Sequence, residues 1–455
     1  MAVNPGFFSN AIIGEQVDFD TCLTSATVIQ KVWEFRSASI RNRGPKATPA
    51  RFKGNRSPSG LIEGFYHAEG DIVLDAHAND LGVWIKQALH TVTPASVAYN
   101  AGTPVSVLTA TTWAASGSKK SLTTQPTATT PAMDPGKLTI TFRATGGAPK
   151  VYTGNVVVEG TDQNDIEITE IVPFVAASAA TTAYYFKTVD ASGVTINCTP
   201  LLADDTIDIT CYKGTTIHTF ALGDAILPGM TMELLKGTIP SVGVGMIINT
   251  MRMDIGDVLG LTFGMLGKRL WNRYKLPTGA TDPIPSTTGT SQAALPHPGE
   301  LVFPAWGLAL YIDASASATP IASGSFSTSN GLRTPRRYRG LRTEPQPIAG
   351  DLRESVLTVG IDYDTVNADF DAKALANGEV DIDLIGVCSP YAGPEYSFTI
   401  SMPRCQIPDF PDPDVNNFGE VIQELTFRSI RTAIATTSDE LVFTLQNTKA
   451  AYNTV

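Results

Sequence analysis

The residues able to do chemistry are few and widely spaced. His67, His77, His90, His218 and His297 form no HExxH pair and no carboxylate-supported cluster, so the two-histidine helical face that holds zinc is missing. Cys22, Cys198, Cys211, Cys388 and Cys405 are odd in number and include no CxxC pair. Neither a zinc site nor a disulfide framework follows, and synthesis in a reducing cytoplasm is the plain reading. No GxSxG, Walker loop or dinucleotide fingerprint is present. Glu167 and Glu170 with Asp71 and Asp75 offer the paired carboxylates of a glycosidase, but solvated strand faces account for them at far lower cost. Asp409, Asp412 and Asp414 have the oxygen chemistry of a calcium site; their spacing is not that of an EF-hand loop, and the prolines between them favour a rigid acidic turn. No catalytic, cofactor-binding or metal-binding residue is assigned, and the chain is expected not to be an enzyme.

Charge points the same way. Only 17% of the 455 residues are charged, and the net charge is −11. A weakly charged surface suits a protein that covers much of itself by assembling, and an acidic one does not wrap nucleic acid. It remains compatible with a wall that nucleic acid slides past. Basic residues gather in two Gly/Pro-rich loops at like places in the chain. One holds Arg41, Arg43, Lys46, Arg51, Lys53 and Arg56; the other holds Arg333, Arg336, Arg337, Arg339 and Arg342. They are candidate contacts with acidic surfaces of neighbouring copies, or simply solvated loops. The start, MAVNPGFFSNAIIGEQ, lacks the charged head and apolar core of a secretory leader, and no apolar run is long enough to span a membrane.

The elements that would position these residues are mostly strands, and they occur twice. TMELLKGTIP, SVGVGMIINTMRMDI and GDVLGLTFG (231–264) have a counterpart in FTISMPRCQIP, GEVIQELTFRSI and DELVFTLQN (398–447). With Ile239-Pro240 on Ile407-Pro408 and Gly245 on Gly419, Ile247, Met251 and Met253 fall on Val421, Leu425 and Phe427. Leu259, Leu261 and Phe263 fall on Leu441, Phe443 and Leu445, and the polar interruption Asn249 falls on Gln423. Apolar residues sit on alternate positions, the period of strands with one buried face. Upstream, DIVLDAH is followed by a helix signal capped by Asn79, with Leu81, Trp84, Ile85, Ala88 and Leu89 on one face. SVLTVGID followed by ADFDAKALANG repeats that order. A duplicated unit is the expectation.

From Thr91 the composition turns to Thr, Ala and Ser, and short strand-like segments follow: KLTITFRA, NVVVEGT, DIEITEIV, AYYFKTVD, GVTINCT and DTIDITCY. These predict an immunoglobulin-like β-sandwich inserted in the first unit. The expected organisation is 1–91 with 215–290 as a discontinuous first domain, 92–214 as the insertion and 291–455 as the second domain. The fold class is mainly β, sandwich or barrel-like, with one short helix per unit. The insertion is expected to be dispensable for assembly, and the tail NTKAAYNTV shows no pattern.

The succession RNRGPKATPARFKGNRSPSGLIEGFYHAEG, DIVLDAHANDLGVWIKQALH, HTFALGDAILPGMTMELLKGTIP and VGMIINTMRMDIGDVLGLTF resembles the phage tail tube proteins. GNVVVEGTDQNDIEITEIVPFVAASAATTAYYFKTVD is similar to modules inserted in phage virion proteins. The resemblance implies a virion structural protein, assembled in the host cytoplasm into stacked rings that form the tail tube for DNA delivery. A duplicated unit implies homotrimeric rings. Tape measure, tail terminator and baseplate proteins are the implied partners, with transient, non-specific passage of DNA. Candidate lumen-facing positions are the polar members of the alternating strands: Asp71, Asp75, Thr250, Asp254, Thr262, Glu424, Thr426 and Thr444. Arg252 and Arg428 interrupt that pattern. The competing classes are another tail or baseplate component, an adhesin, and a β-rich glycan hydrolase.

Overall fold

The structure, a computed structural model, describes residues 9–20, 32–44, 46–47, 62–63, 66–92, 94–98, 104–113, 115–129, 135–144, 147–199, 204–236, 240–272, 301–313, 319–334, 346–362, 369–409, 422–431, 440–449 and 452. The fold is mainly β, with the helices Leu81–Ala88 and Asp369–Leu375. Period-two alternation is what makes the strands. In Gly260–Gly267, Leu261, Phe263 and Met265 are buried, while Thr262, Gly264 and Leu266 between them are half-exposed. A strand with one apolar side needs a core on that side only.

Two layers satisfy that need. The first is an antiparallel run in the order His67–Asp75, Gly260–Gly267, the second half of Pro240–Ile255, Ser323–Ser329, Glu354–Asp362 and Ile422–Ser429. The second runs Leu308–Ile312, Val380–Cys388, Tyr396–Gln406, Val442–Asn447, Thr216–Ala221 and Ala95–Ala98. Each layer takes strands from both halves of the chain, and a single cluster of buried side chains from both halves joins them, including Leu74, Phe263, Met253, Phe326, Leu357, Phe427, Phe398 and Phe443. Long strand Pro240–Ile255 also pairs through its first half with Met230–Lys236 and Arg269–Asn272. It turns between the two sets of partners near Gly245, whose φ of +64° and contact with the Phe19 ring leave no room for a side chain.

Helix Leu81–Ala88 is buried on every side. Trp84 stacks on Phe263 at 5.0 Å and meets Trp33 edge-on at 5.7 Å. The polar side of the helix is satisfied by an ion pair: Lys86 Nζ lies 2.7 Å from Glu15 Oε2, and Gln87 donates to Glu15 Oε1 at 3.2 Å. Removing either charge would leave the other buried alone, a cost of about 3–5 kcal/mol. This pair ties strand Ser9–Glu15 to the helix.

Residues 105–212 form a separate sandwich. One sheet holds Ser118–Lys120, Thr188–Cys198, Tyr152–Thr161 and Glu167–Ala177; the other holds Ala179–Thr181, Lys137–Arg143, Thr206–Tyr212 and Val105–Thr112. Trp113, Phe142, Tyr152 and Phe174 pack at its centre, with Phe142 and Phe174 ring centroids 4.8 Å apart.

Several expectations are corrected. Asn79 does not cap the helix: Asp80 holds the N-cap position without a side-chain bond, and Asn79 Oδ1 instead accepts from Thr448 Oγ1 at 2.9 Å. The patternless tail is anchored at Tyr452, which is buried, donates to Asn79 O at 2.5 Å and crosses the His218 ring at 4.6 Å. AYYFKTVD and GVTINCT contribute to one strand, Thr188–Cys198. The last strands of the two repeats take different places. Gly260–Gly267 lies beside His67–Asp75, whereas Val442–Asn447 lies in the other layer and Ile422–Ser429 pairs directly with Glu354–Asp362. Alternation fixes which side of a strand is buried, not which strand lies next to it.

The fold carries a pH dependence. His90, beyond the helix in a left-handed conformation (φ 54°), is buried, and neither ring nitrogen has a hydrogen-bond partner among the described residues. Desolvation, with Arg353 adding like-charge repulsion, lowers its pKa from 6.5 to about 4. The unfolded chain therefore takes up a proton before the folded one does, so stability is full above pH 6.5 and falls as pH drops toward 4. The loss attributable to His90 is about 2 kcal/mol by about pH 5. Desolvation of His218 lowers its pKa too and adds in the same direction. Urea midpoints measured from neutral to acid pH should fall less steeply in His90→Asn than in the wild type.

Candidate functional site

The polar side of the first layer is the candidate site. Strand pairing sets its residues in rows across the sheet. One row reads Asp71, Gly264, Thr250, Ser329 and Glu354. The next reads Val73, Thr262, Arg252, Ser327, Val356 and Arg428. A third reads Asp75, Gly260, Asp254, Ser325, Thr358 and Thr426, and beside it lie Ser323, Gly360 and Glu424. Asp71, Arg252, Glu354, Glu424 and Arg428 are exposed, and Thr250, Asp254, Thr262 and Thr426 are half-buried.

Seven of the eight residues expected on one polar surface therefore share this face: Asp71, Asp75, Thr250, Asp254, Thr262, Glu424 and Thr426. Thr444 does not. It lies in the second layer between Thr399 and Thr219. Its assignment depended on equating Val442–Asn447 with Gly260–Gly267. The sequence reading also missed Ser323, Ser325, Ser327, Ser329, Glu354 and Thr358. The signal was present in SGSFSTS, where serine alternates with Gly324, Phe326 and Thr328, but it lies outside the repeated segments.

The arginines that interrupt the pattern are held by carboxylates. Arg252 Nε lies 2.6 Å from Asp254 Oδ1, Arg428 Nε 3.3 Å from Glu354 Oε1, and Arg36 Nε 2.5 Å from Asp75 Oδ1. Exposed pairs of this kind contribute about 0–1 kcal/mol each, too little for stability to explain the arrangement. Counting the face with its margin, Asp71, Asp75, Asp254, Glu354, Glu424 and Glu69 stand against Arg36, Arg252, Arg428, Arg41 and Arg43, six carboxylates to five guanidiniums among hydroxyl groups. The carboxylates on such a surface repel phosphate.

Arg41 and Arg43, expected in a loop, belong to a short strand, Arg41–Arg43, that pairs with His67–Glu69 at the margin of this sheet. Arg43 is held by Glu69 at 2.7 Å. Arg51, Arg56, Arg336, Arg337 and Arg339 lie outside the described residues. With Ser39, Glu69, Asp71, Thr250 and Gly264, Arg41 and Arg43 line an open cavity of about 470 Å³ on the polar side. The carboxylates proposed as a glycosidase pair are not brought into one cleft. Glu167 and Glu170 are on the sandwich, where Glu170 accepts from the amides of Ala183 and Tyr184 at 2.6 and 2.8 Å. Asp409 is described; Asp412 and Asp414 are not. Among the described residues no group of three or more His, Cys, Asp or Glu is placed to hold a metal ion, and no helix is long and apolar enough to cross a membrane.

No protein-family model matches the chain, and no curated protein matches it.

At the margin of the face, Gly70 adopts φ +140°, and a Cβ there would lie 2.7 Å from the Ile40 backbone. The close approach lets Ser39 bond Asp71, its backbone amide donating to Asp71 O and its Oγ accepting from the Asp71 amide, both at 2.8 Å. Gly70→Ala should cost about 1–3 kcal/mol in chemical denaturation and speed hydrogen exchange across 37–43.

Proposed function

We propose that the chain is a structural subunit, without catalytic activity, that assembles with copies of itself into stacked rings forming a phage tail tube through which DNA passes. The observation that carries this reading is the shared polar face. Acidic and hydroxyl side chains from both halves of the chain lie on one solvent-facing side of one sheet, while the other side is committed to the core. A wall that conducts DNA needs that division: an inner surface that repels phosphate, backed by a rigid layer.

The sheet margins support assembly. Among the described residues the layer ends at Ser37–Ala38 and Arg41–Arg43 on one side. On the other it ends at Ile422–Ser429, which continues only through Arg428 and Ser429 to Gln406 and Cys405. An open sheet is a template for further strands, and closing it into a ring removes its edges. The repeat read in the sequence supports a ring of three chains, each bringing two units to six positions. Tape measure, terminator and baseplate proteins are the partners this reading implies, and the virion tail is the place.

Negative-stain microscopy of the purified protein should show rings or hollow rods. End-on averages should be three-fold at high detail and six-fold when blurred. A protein that stays monomeric at high concentration contradicts the reading. Six-fold density with one whole chain per sector contradicts the trimer.

A further inference from the structure

The insertion expected to be a dispensable appendage touches the second half of the chain in a specific way. The buried apolar cluster of the sandwich is drawn from residues 107–211 with one outsider, Ala392. That residue belongs to the turn Ser389-Pro390-Tyr391-Ala392-Gly393-Pro394-Glu395, which joins Val380–Cys388 to Tyr396–Gln406. Ala392 is 6% exposed and takes a left-handed φ of 52°.

We propose that the inserted sandwich is a brace that fixes the second-half strands of the second layer against its first-half strands, with Ala392 as the plug that seats it. Both backbone groups of the plug are used. The Ala392 amide donates to Asp162 Oδ2 at 3.2 Å, and the Tyr185 amide donates to Ala392 O at 3.0 Å. On either side, Asn164 Nδ2 donates to Ser389 O at 3.2 Å and Gln163 Nε2 to Glu395 Oε2 at 3.0 Å. Asp162 is fully buried, and its other oxygen accepts from the amides of Asn164 and Ile166 at 2.9 and 3.0 Å. One carboxylate thus shapes the sandwich loop and grips the second half. A buried carboxylate is tolerated only when its acceptor sites are filled, so the turn completes the loop as much as the loop holds the turn. Two prolines and a Gly393 N to Pro390 O bond of 3.0 Å preset the turn, which lowers the entropy lost on docking.

The placement of the brace gives it leverage. The sandwich is rooted in Ala95–Ala98 and Thr216–Ala221, which pair with each other at one margin of the second layer. Its foot stands on the turn between Val380–Cys388 and Tyr396–Gln406, further across that layer. Thr216 pairs with Asn447, and the adjacent Gln446 pairs with Ser397, so root and foot lie at the same end of the sheet. A rigid body standing on both points holds the strands between them, Val442–Asn447 and Tyr396–Gln406, at a fixed spacing. This inference does not depend on the tube reading, because it concerns contacts within one chain.

The test is Ala392→Arg in the full chain, which forces a charge into the sandwich core. The sandwich keeps the rest of its core, so it should stay folded. Exchange of the Tyr185 and Ala392-position amides should rise at least about tenfold, and calorimetry should show the sandwich melting apart from the body of the protein. If the arginine variant does not fold, Gln163→Ala with Asn164→Ala removes two side-chain bonds without touching the plug. It should raise exchange across 389–395 by about tenfold. Wild-type exchange rates in both regions, with a single unchanged unfolding transition, would overturn the brace.

Discussion

Strand Ser323–Ser329 is paired along one edge with Pro240–Ile255 from the first half and along the other with Glu354–Asp362 from the second. The rest of the architecture depends on that double pairing. It joins two three-strand ladders into one layer, puts Phe326 between Met253 and Leu357 on the buried side, and puts Ser325 and Ser327 between the polar rows of the two halves. A shift of one residue in either register would turn its serines into the core and Phe326 into solvent, so burial enforces the register strongly. The second layer repeats the logic where Thr216–Ala221 meets Val442–Asn447, with Phe220 opposite Phe443. Two halves joined in both layers, over a shared core, cannot swing independently.

That rigidity gives the polar face its meaning. Its charges are too exposed to stabilise the fold appreciably, and its glycines and serines contribute almost nothing to packing. What the face has is continuity and a sign. Carboxylates and hydroxyls extend across strands from both halves, with Arg36, Arg252 and Arg428 each drawn to a neighbouring carboxylate. An uncompensated guanidinium on a DNA-facing wall would be a point of adhesion; a paired one is less so.

Much of this was legible in the sequence, because alternation is a local signal. The apolar positions of DIVLD, MRMDI and GLTFG told which side of each strand is buried, and by elimination which side is wet. The inserted module announced itself through composition and strand spacing. What could not be read was adjacency. Nothing local distinguishes a final strand that folds back beside the first, as Gly260–Gly267 does, from one that crosses to the other layer, as Val442–Asn447 does. Thr444 was misplaced for that reason. The same limit hid long-range polar contacts. Asn79 looks like a helix cap from its neighbours, yet its partner is Thr448, and Tyr452 looks like a frayed tail until Asn79, Asn447 and His218 are seen around it. Ala392 carries no signal at all beyond a turn flanked by prolines.

The central claim, that both halves form one sheet with one polar face, is most directly tested by a cross-link across the seam. Arg252 and Ser327 are register partners on that face. The account predicts that Arg252→Cys with Ser327→Cys forms a disulfide on mild oxidation, found by peptide mapping, because directly paired strand positions bring Cα atoms within about 4.5–5.5 Å, inside the range a disulfide spans. The described native cysteines, Cys198, Cys211, Cys388 and Cys405, are buried and should not compete. A control with Arg252→Cys and Ser323→Cys, four residues out of register, should remain reduced. No bond in the first pair, or equal bonding in both, would contradict the joined sheet.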